Sequence, residues 1–210
     1  MSRTAAEGAS AFLDRARRGD PKAFESLAGE HERALYAHVA RILGPGADAE
    51  DVVQDAFVSA WRSIAAFEGT SFRAWIFRIA TNRAIDLIRA RRRRGELPLE
   101  PVDDAGEPTW AEPATAGPDL ATIAGDREAI TIVEAALATL PAEQRAVLLL
   151  RDVEGFDYEE IARITASQIG TVKSRIHRGR LAVRNALVAR GWTNYRGAPP
   201  PEDPPRNPKR

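Results

Sequence analysis

Apolar residues recur every three or four positions along most of this 210-residue chain. That spacing places them on one face of an α-helix, so the pattern predicts an all-α protein. A short helix is expected over residues 10–18, and a longer one begins at Pro21 after the capping residue Asp20. Further helices are predicted from Asp48, from Ser71, over 127–138 and over 141–153, followed by a helix pair within 157–185.

The same spacing predicts which side chains are buried. We expect Trp75 in the fourth helix to pack against Trp61 in the third one, because aromatic residues at helical spacing are usually part of a core. The predicted buried positions are Phe24, Leu27, Leu35, Val39, Ile42 and Leu43, then Val53, Phe57, Ala60, Trp61 and Ile64, then Phe72, Trp75, Ile76, Ile79 and Leu87, then Ile130, Val133, Ala136 and Leu137.

The periodic pattern is interrupted once, between the two halves of the chain. Residues 95–126 are rich in Pro, Gly, Ala, Thr and acids, a composition typical of a flexible linker. The prediction is therefore two small helical domains, at 10–94 and 127–190, joined by a flexible acidic linker and followed by a Pro-rich disordered tail at 191–210. Trp192 and Tyr195 in that tail could dock on the last helix or on a partner.

The segment 157–185 has the pattern of a helix-turn-helix. Asp157 and Glu160 form a capping box, and residues 165–167 interrupt the helix before a second one begins. That second helix is apolar on one face and polar or cationic on the other, which suits a DNA major groove. The apolar positions are Ile169, Val172, Ile176 and Val183; the polar ones are Thr171, Ser174, Arg175 and Arg178, flanked by Lys173, His177, Arg180 and Arg184. A solvent-exposed helix that is merely basic is the alternative.

Charge is sorted into blocks although the totals balance at 30 basic and 30 acidic residues. Residues 73–94 hold eight arginines and one acid, and residues 95–126 hold eight acids and no base. From 170 to 190 there is again no acid. Such a distribution predicts two basic surfaces, suited to nucleic-acid phosphates, separated by an acidic tether.

Composition excludes several classes of chemistry. The absence of cysteine rules out disulfides, thiolate metal sites and cysteine nucleophiles. His31, His38 and His177 are too far apart in sequence to suggest a metal site, so no metal or cofactor is expected. No apolar run reaches the ~20 residues that a membrane span needs, and the N-terminus lacks a signal-peptide core, so we expect a cytoplasmic protein without membrane insertion.

Two further patterns suggest binding sites in the first half. Four acids and a glutamine collect on one side of the third helix: Asp48, Glu50, Asp51, Gln54 and Asp55. Favourable interaction with the helix dipole would account for two of the acids, whereas all four favour a basic partner surface. Phe67 and Phe72, in or beside a loop, are candidates for stacking on unpaired bases, with nearby arginines holding the strand.

Three sequence segments together are similar to the extracytoplasmic-function sigma factors of bacterial RNA polymerase. They are DAEDVVQDAF, SFRAWIFRIATNRAID and GTVKSRIHRGR. The resemblance covers about residues 12–94 and 128–188, which look like the second and fourth sigma regions. It implies a non-enzymatic protein that binds core polymerase through the β′ coiled coil and the β flap. It also implies recognition and melting of promoter DNA, and control by an anti-sigma factor.

The resemblance also assigns roles to individual residues. Polymerase contacts would be made by Asp48, Glu50, Asp51, Gln54 and Asp55. The opened −10 element would be held by Phe67, Glu68, Gly69, Thr70, Phe72, Asn82 and Arg83. The −35 element would be contacted by Thr171, Lys173, Ser174, Arg175, His177 and Arg178. The acidic linker would run toward the RNA exit channel.

One departure from the family pattern lies in the helix-turn-helix. The family usually has a turn resembling Leu-Gly-Val-Pro, where this chain has residues 165–168, Thr-Ala-Ser-Gln. Ala166 replaces a glycine that would suit a positive φ, so we expect strain or a different turn shape there.

Three alternatives remain at this level. A sigma-like decoy that binds only a regulatory protein would be expected to have a damaged basic face on its last helix. A dimeric helix-turn-helix repressor would need a dimer interface or a ligand pocket. An enzyme would need grouped catalytic side chains or a phosphate-binding glycine loop, which the sequence does not show.

Overall fold

The computed structural model describes residues 11–97 and 127–191, and within these ranges the chain is built from helices without any β-strand. The elements are α1 (11–17), α2 (Pro21–Leu43), α3 (Ala47–Ser63), a 3-10 turn (Ile64–Ala66), α4 (Phe72–Arg93), α5 (Arg127–Thr139), α6 (Ala142–Asp152), α7 (Tyr158–Thr165) and α8 (Ile169–Ala189). The predicted linker and tail lie outside the described residues, apart from their first positions.

Local sequence signals fix the helix ends in the first half. The Asp20 carboxylate accepts hydrogen bonds from the backbone N–H groups of Lys22 and Ala23, and proline follows at the first helical position of α2. Ser71 caps α4 by accepting from the Ala74 N–H at 3.1 Å. Helix α2 runs through Gly29 without a break and ends at Gly44, whose φ of 95° favours glycine.

The first unit of the structure contains α1, α2, α3, α4 and also α7. Helices α2, α3 and α4 pack on one another, and α7 packs on α4. Fully buried side chains such as Leu35, Ile42, Ile76 and Phe77 form the core of this unit. The result is a helical bundle that leaves the loop before α4 at its surface.

The second unit contains α5, α6 and α8. Helix α8 packs on both α5 and α6, around the buried leucines Leu148, Leu149 and Leu150. At Gly179 of α8, an added Cβ would lie 3.0 Å from a methyl carbon of Leu148. The absence of a side chain at position 179 therefore allows α8 to approach α6 closely.

Several burial predictions are wrong in an instructive way. Trp75 does not pack on Trp61; Trp61 is 38% exposed and contacts Phe24 at a centroid distance of 5.2 Å. Ile130 is 40% exposed and Ile169 is 41% exposed, although both were predicted to face a core. Half-buried rather than buried positions are Leu43, Phe57, Ile79 and Leu87. These residues lie at the edges of their apolar stripes, where helical spacing gives the direction of a side chain but not the extent of its partner surface.

Candidate nucleic-acid interface

The loop between the 3-10 turn and α4 is supported by an aromatic stack. Phe67 lies parallel to Trp75, with ring centroids 4.3 Å apart and an interplanar angle of 13°. The Arg17 guanidinium lies over the same Phe67 ring, 5.4 Å from its centroid. At Gly69 an added Cβ would be 2.5 Å from a Phe67 ring carbon, so any side chain there would require the Phe67 ring to move. Phe67, stacked on Trp75, therefore stabilises the loop.

The same packing bears on Phe72, the second phenylalanine expected to stack on bases. Phe72 is only 5% exposed and contacts Phe24 and His31 inside the first unit. Its ring is part of the core and does not offer a face to a base. The exposed residues of the loop are Glu68, Gly69, Thr70 and the capping Ser71.

An open cavity of about 480 Å³ adjoins the loop and is lined partly by Phe67, Glu68 and Trp75, with the exposed Arg78 at its edge. A second cavity, of about 370 Å³, has Thr70 and Ser71 on one side and Glu160, Arg163 and Ile164 of α7 on the other. Within the first unit, α7 thus contributes a wall next to the loop predicted to bind the −10 strand. A sequence motif alone does not reveal that proximity.

Two arginines of the basic helix α4 are paired with acids of α3. Arg83 donates to Asp55 at 3.0 Å and to the Ser59 hydroxyl at 2.6 Å. Arg91 donates to Asp48 at 2.7 Å, and both side chains of that pair are partly exposed. Asp48 and Asp55, predicted to bind polymerase, therefore lie beside arginines on the basic helix.

The remaining members of the acidic cluster are Glu50, Asp51 and Gln54, which are exposed on α3. Within residues 11–97 and 127–191, Glu50 and Asp51 form no ion pair. The structure divides the cluster into two acids that are ion-paired to α4, of which Asp55 is still 65% exposed, and an exposed side, Glu50, Asp51 and Gln54, outside those pairs. The exposed side is the one free to contact a partner.

Helix α8 presents the predicted polar face in the second unit. Val172, Ile176 and Val183 are buried, whereas Lys173 and His177 are exposed. Thr171, Ser174, Arg175 and Arg178 are half-buried, and the Ser174 hydroxyl donates to the Thr171 carbonyl at 3.0 Å. The N-terminal half of α8 thus combines cationic and hydroxyl side chains outside a buried apolar face, as base and phosphate contacts require.

Arg180 does not belong to that surface. It makes two hydrogen bonds to Asp152 at the end of α6, at 3.0 and 2.5 Å, and the Asp152 side chain is fully buried. Sequence reasoning placed Arg180 at the edge of the cationic face and missed Asp152. The available signal was an acid two positions after the apolar run 146–150, where a buried carboxylate needs a partner.

The turn before α8 confirms the expected departure from ordinary backbone. Ala166 has φ 50° and ψ 38°, and it is the only non-glycine residue with positive φ in the described ranges. An L-alanine in this left-handed region is less favourable than glycine. The capping box of α7 is also confirmed, with Asp157 and Glu160 exchanging hydrogen bonds at 2.7 and 3.0 Å.

His38 is the one buried titratable group in the core of the first unit's described residues. Burial, reinforced by the positive charges of Arg41 and Arg73, lowers the pKa of His38 to about 3. Its Nε2 lies 3.0 Å from the Thr81 hydroxyl, and its buried Nδ1 has no hydrogen-bond partner. The ring is therefore a neutral core residue at physiological pH.

The described ranges contain no group of three metal-ligating side chains and no helix that is long and apolar enough to cross a membrane. What they do contain is an exposed acidic helix face, a loop beside arginines, and a second helix with a cationic front. These features agree with the class predicted from the sequence, a two-part DNA-binding protein.

Comparison with known proteins agrees with that class. Residues 27–94 match the family model for sigma-70 region 2, and residues 130–183 match that for sigma-70 region 4. The ECF sigma-E factor of Escherichia coli K12 is 37% identical over 183 residues, covering 84% of this chain and 92% of that protein. The sigma-H factor of Pseudomonas aeruginosa is 35% identical, with the same coverage of 84% and 92%. SigE of Mycolicibacterium smegmatis is 35% identical over 165 residues, and this chain spans 62% of its length.

Solved structures show the same similarity. RpoE of Bartonella quintana, solved with the anti-sigma factor NepR, is 30% identical with a TM-score of 0.60, covering 80% of this chain and 98% of that one. CnrH, solved with the cytosolic domain of CnrY, is 27% identical with a TM-score of 0.61, covering 87% and 98%. The chain therefore belongs to the ECF family of RNA polymerase sigma factors.

Proposed function

We propose that this ECF sigma factor divides promoter recognition between its two units. The first unit docks on core polymerase and holds the opened −10 strand, and the second contacts the −35 element. The observation that carries this proposal is the presence of both family regions, each with an exposed polar surface of the required charge.

Polymerase docking is assigned to the exposed side of α3, with Glu50, Asp51 and Gln54 as direct contacts. Asp48 and Asp55 contribute charge to the same face while they pair with Arg91 and Arg83. A complementary basic surface on the polymerase would be attracted to this face and oriented by it.

The −10 contacts are assigned to Glu68, Gly69 and Thr70 in the loop, with Asn82 on α4 and with Arg83, whose side chain is still 40% exposed while it pairs with Asp55. Melting the duplex costs a few kcal/mol, which capture of unpaired bases offsets. The −35 contacts are assigned to Thr171, Lys173, Ser174, Arg175, His177 and Arg178 on α8. Cationic side chains there displace counterions from phosphate, and shorter ones reach base edges.

The two DNA contacts act together because polymerase holds them on one promoter. Two weak sites that are fixed in register bind with a combined affinity set by their effective concentration. The same exposed surfaces suit an anti-sigma factor, the kind of partner found with the related RpoE structure. We further propose that the protein works in the cytoplasm and catalyses no reaction itself.

The direct test is transcription by reconstituted holoenzyme. Purified protein and bacterial core polymerase would be incubated with a library of genomic fragments, and RNA 5′ ends would be mapped by sequencing. We expect discrete start sites that are absent with core alone. A decoy would give none while still binding a regulatory protein, and a dimeric repressor would sediment as a dimer and bind DNA without core.

A further inference from the structure

Helix α1 lies outside the matched family region, which begins at residue 27, yet one of its side chains reaches the predicted −10 loop. Arg17 donates from Nη2 to the Gly69 carbonyl oxygen at 2.5 Å, across 52 residues of sequence. Its guanidinium also lies over the Phe67 ring at 5.4 Å. One side chain therefore contacts both the backbone of the loop and the aromatic ring beneath it.

Arg17 is held in place by contacts of its own helix. Its helix is anchored by the buried Leu13 and Ala16, and Asp14 accepts a hydrogen bond from Arg17 Nη1 at 3.2 Å. The Arg17 side chain is 28% exposed, and its Nε is buried without a partner. A guanidinium suits this place because its planar fork can donate to a carbonyl while its face covers an aromatic ring.

We propose that Arg17 is a positioning residue for promoter opening, which fixes the loop 67–70 in the conformation that accepts the unpaired −10 strand. This inference rests on the function proposed above for the loop. By tying the Gly69 carbonyl to α1 and covering Phe67, Arg17 orders the loop before DNA arrives. A loop that is already ordered loses less conformational entropy on binding, so its affinity for the strand is higher.

A direct phosphate contact by Arg17 is the competing explanation, and two measurements separate them. A phosphate contact depends on charge, so lysine should restore it, and its loss should reduce the salt dependence of binding by about one counterion. A positioning contact depends on the planar fork and the stacked ring, which lysine does not reproduce. Loss of positioning leaves the salt dependence unchanged.

The experiment uses the full chain reconstituted with core polymerase. The probe is the non-template −10 strand of a promoter identified by the transcription assay, labelled with a fluorophore. Variants are Arg17→Ala and Arg17→Lys, with Arg18→Ala as the matched control, since Arg18 is the exposed neighbour on the same turn. Strand affinity, its salt dependence, affinity for core and the thermal unfolding midpoint are measured for each variant.

We expect Arg17→Ala to weaken strand binding by about tenfold, the effect of one hydrogen bond from a charged donor. Arg17→Lys should be nearly as weak, with unchanged salt dependence and unchanged affinity for core. The inference is overturned if Arg17→Ala binds the strand with wild-type affinity. It is also overturned if Arg17→Lys restores full affinity and Arg17→Ala lowers the salt dependence of binding. If Arg17→Ala lowers the thermal unfolding midpoint, the strand affinity of Arg17→Lys alone is used to test the inference.

If the proposed function itself is wrong, the same experiment gives a different result. In that case the unmodified holoenzyme itself gives no start sites and no strand binding, and the inference falls with it. If the unmodified holoenzyme opens promoters and the Arg17 variants do so equally well, only the inference fails.

Discussion

The two basic helices, α4 in the first unit and α8 in the second, both pair arginines with acids, but the pairs on α4 are partly exposed and the pair on α8 is largely buried. On α4, Arg83 and Arg91 are bound by acids of α3, so part of its charge holds the bundle together. On α8, Arg180 is bound to Asp152, whereas Arg178 forms no ion pair within residues 127–191. A run of basic residues therefore overstates the charge available to DNA, and only the contacts show which arginines are structural.

The largest effect is expected from the buried pair of the second unit. Arg180→Ala would leave the fully buried Asp152 carboxylate without its two guanidinium hydrogen bonds. Breaking such a pair costs ~3–5 kcal/mol, so the free energy of unfolding, measured by urea denaturation, should fall by that order. Arg178→Ala, two residues earlier on α8, is the control and should change stability by less than ~0.5 kcal/mol while weakening −35 binding. Equal stability of the two variants would show that the distinction between structural and DNA-facing arginines is wrong.

The next effect concerns the exposed side of α3. Asp51→Arg should weaken binding to core polymerase by roughly tenfold or more, because a like charge then faces the partner's basic surface. Fluorescence anisotropy with labelled protein measures this affinity. Glu25→Arg makes the same charge change at an exposed site on α2 and should have little effect. A loss of the same size in both variants would indicate a general charge effect and not a docking face.

A smaller effect is expected in the loop of the first unit. Gly69→Ala places a Cβ 2.5 Å from the Phe67 ring, which must then shift from its stack on Trp75. Strain of this kind costs ~1–3 kcal/mol, so open complexes, detected by permanganate reactivity of unpaired thymines, should decrease by about tenfold. Gly29→Ala is the control, because nothing lies within 4 Å of its added Cβ. Normal opening in Gly69→Ala would mean that the loop tolerates movement of Phe67.

The stability of the first unit is expected to change only gradually with pH. His38 has a folded-state pKa of about 3, whereas an unfolded histidine titrates near pH 6.5. Between these values the unfolded chain binds more protons, so the free energy of unfolding falls as pH is lowered, by at most ~1.4 kcal/mol per pH unit. His38→Gln removes this titration. The free energy of unfolding, measured by thermal or urea unfolding at about pH 6 and about pH 4, should then differ less between the two pH values. An unchanged difference would assign the acid sensitivity to other groups.

Much of the fold follows from the sequence because its determinants are local. The caps at Asp20, Ser71 and Asp157 and the terminating Gly44 depend on residues within one helical turn, and all four are found as expected. The unusual backbone at Ala166 was indicated by the resemblance to the family, whose turn has a glycine at that position. Such features need no knowledge of distant contacts.

Features that depend on distant contacts were not predicted. The pairing of Arg180 with Asp152 and the contact of α7 with α4 join residues far apart in sequence, and the stack of Trp75 on Phe67 depends on the path of the loop between them. Helical spacing indicates which way each side chain points, but several partners could satisfy that direction. The predicted division at residues 127–190 also remains a prediction, since α7 groups with the first unit in the structure.

The central claim is that the two units make separate contacts on one promoter. The most direct measurement is footprinting of the reconstituted holoenzyme. It combines hydroxyl-radical protection at the upstream −35 element with permanganate reactivity at the −10 element. We predict that, on duplex promoter DNA with holoenzyme in excess, Arg178→Ala reduces upstream protection while permanganate reactivity at the −10 element persists. Gly69→Ala should keep the upstream protection and reduce the permanganate reactivity. Loss of the same signal in both variants, or of neither, would contradict the division of labour.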